Sequence, residues 1–119
     1  MKFIRLLPEF YREVERLFRQ QDLKNLLEQL PDLEISGRCN CGDSFCSTFY
    51  VKPLRQLNVV EENIIGVKQG KTIDLRAENG MVNIDIDNFD RLTTFEVLFR
   101  PDVEQELTKV FMRKRINKR

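Results

Sequence analysis

Residues 71–87 decide the fold, and they read KTIDLRAENGMVNIDID. Apolar and polar side chains alternate on both sides of Asn79-Gly80, as they do in strands that bury one face. Asn-Gly between two alternating runs is the strongest short-range signal for a β-hairpin, because both central residues of a type I′ turn need a positive φ. The stretch therefore predicts two antiparallel strands joined at Asn79 and Gly80.

Further runs with strand character lie on both sides of this hairpin. Upstream, residues 33–38 alternate, residues 46–51 are rich in strand formers, and residues 64–68 lead into the hairpin. Downstream, residues 93–99 form the last run. We therefore expect an antiparallel sheet of about five or six strands.

Helical patterns occupy the two ends of the chain. The first helix follows from one apolar stripe with spacings of i, i+4, i+7 and i+8, formed by Phe10, Val14, Leu17 and Phe18. A second, short helix is expected to begin with Asp22 as its N-cap and to end at Pro31. Residues 101–111 predict the last helix. The fold class is thus expected to be α+β, with two N-terminal helices and one C-terminal helix on one face of the sheet.

The length of 119 residues suits one domain, so residues 1–119 are expected to fold as a unit. Five of the 20 basic residues lie in residues 113–119, which leaves 15 basic and 19 acidic groups in residues 1–112, a net charge of −4. Nucleic-acid binding is not expected of such a body, because nucleic acid favours a continuous basic face. The basic tail is interpreted as a frayed, solvated helix end, with RNA contact as the alternative.

The expected compartment is the cytoplasm. The first apolar stretch is too short and too interrupted for a signal peptide, and no run approaches the roughly 18 apolar residues that a membrane span needs. Three cysteines, an odd number, argue against a framework of disulfide bonds. The sequence therefore predicts a cytoplasmic protein without a membrane partner.

The residues that most enzymes use for catalysis are scarce. The chain has no histidine, so the commonest general base near neutral pH is missing, and triads that need one are excluded. Phosphate-binding glycine motifs are also missing from the sequence. We therefore expect a protein that is not an enzyme and has no catalytic residues.

The most individual motif is Cys39-x-Cys41-x4-Cys46 in a polar turn. Thiolates at close spacing across a hairpin can converge on zinc. The spacing is not the usual Cys-x2-Cys, and a fourth ligand would have to be Asp43, water or another chain. The preferred interpretation is three small apolar residues packed at a hairpin, for which no cofactor is expected. A zinc site and a redox or disulfide role are the alternatives.

A second motif, Asn83-x-Asp85-x-Asp87-x-x-Asp90, is superficially similar to a calcium loop. Asn88 and Thr94 stand where that loop needs glycine and a bidentate glutamate. A period of two explains the pattern better, with isoleucines inward and carboxylates outward. The result is either a solvated strand face or an acidic surface for a basic partner, formed by Asp85, Asp87, Asp90 and Glu96.

Two stretches resemble a known group of proteins: GRCNCGDSFCSTFY, residues 37–50, and FEVLFRPDV, residues 95–103. They are similar to small bacterial cytoplasmic proteins, some of which resemble immunity proteins of polymorphic toxin and contact-dependent growth inhibition systems. The resemblance implies a single-domain α+β protein that binds and blocks one toxin, often a nuclease. It carries over no catalytic residues, because such proteins act through a surface.

Two functions are therefore expected from the sequence. The first is a non-enzymatic binding module, an immunity protein that neutralises a basic toxin domain by occlusion through the acidic surface. The alternative is a metal- or redox-dependent protein built on the hairpin of Cys39, Cys41 and Cys46.

Overall fold

The computed structural model of the chain describes residues 1–53 and 70–111. The predicted strand at residues 64–68 and the basic tail at residues 113–119 lie outside the described residues. The helices are α1 (Phe3–Leu6), α2 (Pro8–Gln20), α3 (Lys24–Gln29) and α4 (Pro101–Val110), with a 3₁₀ turn at Leu30–Asp32 after α3. The strands are β1 (Leu33–Arg38), β2 (Phe49–Pro53), β3 (Lys71–Asp74), β4 (Met81–Ile86) and β5 (Leu92–Leu98).

The five strands of residues 1–53 and 70–111 form one antiparallel sheet in the order β1-β2-β5-β4-β3. The predicted α+β class and antiparallel sheet are therefore confirmed. The strand that comes last in sequence lies at the centre of the sheet, between β2 and β4. β5 thus pairs with β2, which belongs to residues 1–53, and with β4, which belongs to residues 70–111. The end of β5 also lies next to the loop that carries the cysteines.

Strand alternation builds one apolar layer between the sheet and the helices. Val82, Ile84 and Ile86 of β4 are buried, as expected, together with Phe95 and Val97 of β5. They share one core cluster with the buried faces of the helices. Burial of this layer is the main source of stability, because apolar surface leaves water.

The apolar stripe of α2 is buried as predicted, at Phe10, Val14, Leu17 and Phe18. The chain adds a short helix, α1, that sequence periodicity did not indicate. Phe3 of α1 lies at the centre of an aromatic cluster and contacts Phe10, Tyr11, Phe49 and Phe95 at ring-centroid distances of 5.2 to 6.1 Å. The contacts of Phe3 with Tyr11 and Phe49 are edge-to-face, an arrangement that adds to the gain from burial.

The prediction that Asp22 caps the second helix is wrong. The N-cap of α3 is Leu23, and no side chain caps it. Asp22 instead has a φ of 59° in the tight turn after α2. Short aspartate side chains tolerate this left-handed conformation, which explains why Asp22 suits the turn.

The hairpin of β3 and β4 is present, but its predicted two-residue turn is wrong. Asp74 pairs with Asn83, and the backbone N–H of Leu75 donates to the carbonyl of Val82, so the loop spans several residues. Positive φ angles occur at Arg76 (58°) and Gly80 (70°) and not at the residue before Gly80. The register of the sheet outweighs the local preference of Asn-Gly here.

Helix α4 begins at Pro101 and buries Val103 and Leu107 against the core. The predicted apolar stripe is less buried at its C-terminal end, since Val110 is exposed. Arg100 precedes the first turn of α4 and is buried, and its guanidinium forms ion pairs with Asp102 at 2.9 Å and with Glu13 of α2 at 2.8 Å.

The residues that the structure describes include no helix long and apolar enough to cross a membrane.

Candidate thiolate metal centre

The three cysteines converge in the loop between β1 and β2. The sulfur atoms of Cys39, Cys41 and Cys46 all lie within 4.8 Å of one another. Cys46 is buried, Cys39 is half-buried and Cys41 is exposed, so the cluster opens toward solvent at one side. The sequence hypothesis of a convergent cysteine hairpin therefore has a geometric basis in the fold.

A buried arginine fixes the two ends of this loop. Arg38 ends β1, and its side chain is only 3% exposed. It donates to the carbonyl of Cys46 at 2.9 Å and to the carbonyl of Cys39 at 3.4 Å. One guanidinium group thus connects both flanking cysteines, because its planar fork presents several donors in a rigid geometry.

The charge of Arg38 is balanced by Glu104 of helix α4. The two groups bond at 2.8 and 3.3 Å, in a bidentate pair. Ser47, also in the loop, donates to the same carboxylate at 3.2 Å. The loop is therefore tied through Arg38 and Ser47 to a helix that begins more than 50 residues later in the chain.

The second half of the loop runs along the end of the central strand. Cys46 forms a β-bridge with Leu98, and the backbone N–H of Ser47 donates to the carbonyl of Val97 at 2.8 Å. Gly42 has a φ of 84°, which reverses the chain between Cys41 and the residues that return to the sheet. These contacts hold the return segment in place, so the sulfurs do not depend on loop packing alone.

The sulfurs perturb one another electrostatically. Burial opposes ionisation of Cys46, but hydrogen bonds from the backbone and hydroxyl of Thr48 and from the other two thiols lower the pKa of Cys46. The backbone N–H of Asp43 favours the thiolate of Cys41, but burial and the neighbouring sulfurs outweigh it and raise the pKa of Cys41 to about 11. The cluster thus favours the thiolate form of Cys46 and disfavours that of Cys41.

The donor set fits a soft metal ion. A Zn–S bond of about 2.3 Å with tetrahedral angles separates bound sulfurs by about 3.8 Å. Because the three sulfurs already lie within 4.8 Å of one another, the widest pair needs to close by no more than about 1 Å, which is within the range of a change in side-chain torsion angles. A divalent cation among the sulfurs also reverses the electrostatic penalty, because it favours every thiolate at once.

Tyr50 of β2 is a neighbour of the cluster that the sequence did not single out as a site residue. Burial first, and then the charge of Cys39 and a hydrogen bond with it, raise the pKa of Tyr50. Arg38 was likewise missed, because its partner Glu104 is 66 residues away and no local pattern joins them. The strand alternation of β2, which turns Tyr50 outward, is the one signal that could have placed it near the turn.

The predicted acidic surface is divided by the fold. Asp85 of β4 and Glu96 of β5 lie on the sheet face that points away from the helices. Each accepts a hydrogen bond from its own sheet: Asp85 from Thr72 at 2.6 Å, and Glu96 from Asn83 at 3.0 Å. These two carboxylates remain candidates for contact with a partner.

Asp87 and Asp90 belong to the turn between β4 and β5 and not to the sheet face. The carboxylate of Asp87 accepts from the backbone N–H groups of Phe89 and Arg91, at 2.8 and 3.0 Å, and bonds the Arg91 side chain at 2.8 Å. Asp90 has a φ of 60°. The structure therefore gives Asp87 a role in the turn itself, whereas Asp85 and Glu96 face outward from the strands.

Comparisons with models of protein families, with curated proteins and with solved structures find no match for this chain.

Proposed function

We propose that this protein binds a soft metal ion, with zinc as the first candidate, through Cys39, Cys41 and Cys46. The observation that supports the proposal is the convergence of three sulfur atoms within 4.8 Å in a loop whose two ends share one buried arginine. Thiolates are the ligands preferred by zinc and copper(I), whereas calcium and magnesium prefer oxygen.

Three convergent sulfurs favour a metal over the other two interpretations of the motif. A disulfide uses two sulfurs and gives the third no role. Burial as small apolar residues accounts for Cys46, but it does not account for Cys41, which is exposed. A metal ion accounts for all three together, since each sulfur supplies one bond.

The first experiment measures metal content. Protein purified with a reductant and without added metal is expected to carry about one zinc or copper ion per chain, or to bind one on titration against a chromophoric chelator. Cys41→Ser is expected to weaken binding and retain the fold, because the side chain is exposed. Ser44→Ala, a change in the same loop, is the matched control and is expected to bind as the wild type does. Failure of the wild-type chain to compete with the chelator for any soft metal would refute the proposal.

The second candidate function is that of a protein-binding module, an immunity protein that blocks a basic toxin domain. It is favoured by the outward position of Asp85 and Glu96 on neighbouring strands. Charge complementarity there would speed association with a basic partner and discriminate against others. No metal is needed for this activity, so the two candidates are separable.

A pull-down from the source cells at low salt, read by mass spectrometry, tests this second candidate. A dominant basic partner that salt releases is expected, and Asp85→Lys and Glu96→Lys are expected to weaken its capture. Glu28→Lys makes the same charge change on an exposed position of α3 and serves as the control. Equal capture by all three variants would exclude the sheet face as the contact surface.

A further inference from the structure

The cysteine cluster supplies three ligands, whereas zinc is almost always four-coordinate in protein sites of this kind. Among residues 1–53 and 70–111, no carboxylate oxygen joins the three sulfurs in one ligand group. The chain has no histidine and no fourth cysteine. The inference below rests on the metal site proposed above and concerns the fourth ligand of its metal ion.

We infer that the fourth ligand is a thiolate from outside the chain, contributed by a low-molecular-weight thiol or by a cysteine of a bound peptide. Both sources offer the same chemistry, a single soft sulfur donor. The site would then be a thiol receptor in which the metal ion is the recognition element.

Charge and softness favour sulfur over oxygen at this position. Three thiolates bring the net charge of a divalent ion and its ligands to −1, which weakens its attraction for carboxylates and its ability to acidify water. A thiol binds instead through soft covalent character.

The cluster is accessible through Cys41, and an exposed aromatic pair begins one residue before Cys46 in the chain. Cys41 is exposed, and Phe45, one residue before Cys46, is 43% exposed. The ring of Phe45 stacks on Phe99 with centroids 5.3 Å apart, and Phe99 is 57% exposed at a φ of 60°. A phenylalanine in this conformation stores strain, so the surrounding structure holds it there. The pair offers an apolar surface for the organic part of a thiol.

Binding in this scheme is ligand exchange without electron transfer. The incoming thiol gives its proton to the solvent, its sulfur forms a bond to the metal ion, and water leaves the coordination sphere. No oxidant or reductant is needed, and the thiol leaves by the reverse steps.

Cobalt(II) is the probe for the test, because its visible and near-ultraviolet absorption reports the number of bound thiolates. The protein is loaded with one equivalent of cobalt(II), and cysteine, serine or S-methylcysteine is added. Cysteine is expected to increase the sulfur-to-cobalt charge-transfer absorption by about one third, because three cobalt–sulfur bonds become four. Serine and S-methylcysteine, which offer no thiol, are expected to leave the spectrum unchanged.

A short peptide with one cysteine forms the second arm, with its serine version as control. Saturation at lower concentration by the peptide than by free cysteine identifies a protein source of the thiol, and the opposite order identifies a small molecule. A spectrum that responds to neither thiol would overturn the inference while the three-thiolate cobalt spectrum upholds the metal site. If cobalt produces no thiolate band at all, the metal site itself is refuted, and the thiol receptor with it.

Discussion

At the scale of single residues, the cysteine loop depends on charges that are paired in the interior. Arg38 is nearly inaccessible, and its partner Glu104 is partly buried. Leaving one member of a buried pair alone is costly, because an uncompensated charge loses its solvation without gaining a partner. The contribution of the pair is therefore better measured by removing one partner than by counting its hydrogen bonds.

Glu104→Ala is expected to lower the free energy of unfolding by about 3 kcal/mol, measured by urea denaturation. The reason is that the buried Arg38 guanidinium loses its carboxylate partner. It is also expected to weaken metal binding, since Arg38 holds the carbonyls of both Cys39 and Cys46. Glu106→Ala on the same helix is the control. Its partner Lys109 is exposed, so we expect a loss of no more than about 0.5 kcal/mol. Equal losses in the two variants would contradict the role given to Arg38.

The pairing of Asp102 with Arg100 predicts part of the fall in the free energy of unfolding at acid pH. The hydrogen bond from Arg100 holds the pKa of Asp102 below its usual value. A depressed carboxyl pKa contributes stability above the unfolded pKa of about 3.9, and this contribution is lost as the pH falls through the folded value. The side chain is 57% exposed, so the effect is expected to be about 1 kcal/mol or less. Asp102→Asn is expected to be less stable than the wild type at pH 7, with the difference shrinking below about pH 4. A gap that stays constant across the acid range of a denaturation series would contradict this assignment.

At the scale of elements, Gly80 shows how the hairpin of β3 and β4 meets the rest of the fold. Its φ is 70°, and a Cβ there would lie 2.6 Å from the carbonyl oxygen of Leu98 and 2.7 Å from the Arg100 side chain. Leu98 belongs to the central strand, so its backbone has little freedom to move. The loop consequently packs against β5 and Arg100 and does not stand free of them.

Gly80→Ala is therefore expected to destabilise the fold by about 2 kcal/mol or more, through backbone strain and the contact with Leu98. Gly37→Ala is the matched control, because a Cβ at Gly37 meets nothing within 4 Å. It is expected to be neutral or to stabilise by a few tenths of a kcal/mol, since it restricts the unfolded chain. Thermal unfolding of the two variants checks the difference, and equal midpoints would show that Gly80 is not constrained.

Sequence patterns predicted what is local in these elements and missed what is not. Periodicity identified the stripe of α2 and the inward face of β4, because side-chain direction follows directly from helix and strand geometry. It could not place β5 at the centre of the sheet, since strand order depends on contacts between distant segments. The turn at Gly80 and the cap expected at Asp22 failed because tertiary contacts outweighed local preference. The cysteine spacing indicated a metal site only as an alternative, and the pairing of Arg38 with α4 left no local signal.

At the scale of the whole molecule, the two candidate surfaces are neighbours on the central strand. The cysteine loop borders β5 at Leu98, and Glu96 of the outer sheet face lies two residues before it, about 7 Å along the strand. Asp85 pairs with Thr94 of the same strand. Asp85→Lys and Glu96→Lys change neither a cysteine nor Arg38, so metal binding and partner capture are both to be measured on each of these variants.

Metal binding is expected to stabilise the entire fold. The reason is that the cysteine loop connects β1, β2 and β5 and, through Arg38 and Glu104, also helix α4. A ligand that binds only the folded state stabilises it by RT ln(1 + [L]/Kd), which is about 2.7 kcal/mol at a free concentration 100 times Kd. For a domain of this size, the melting temperature is expected to rise by about 10 °C when zinc is added to metal-free protein. Magnesium is expected to have no effect, since thiolates bind it poorly, and Cys41→Ser is expected to abolish most of the rise. An unchanged melting temperature with zinc bound would show that the unfolded chain binds zinc as tightly as the folded chain, and that the fold does not preorganise the site.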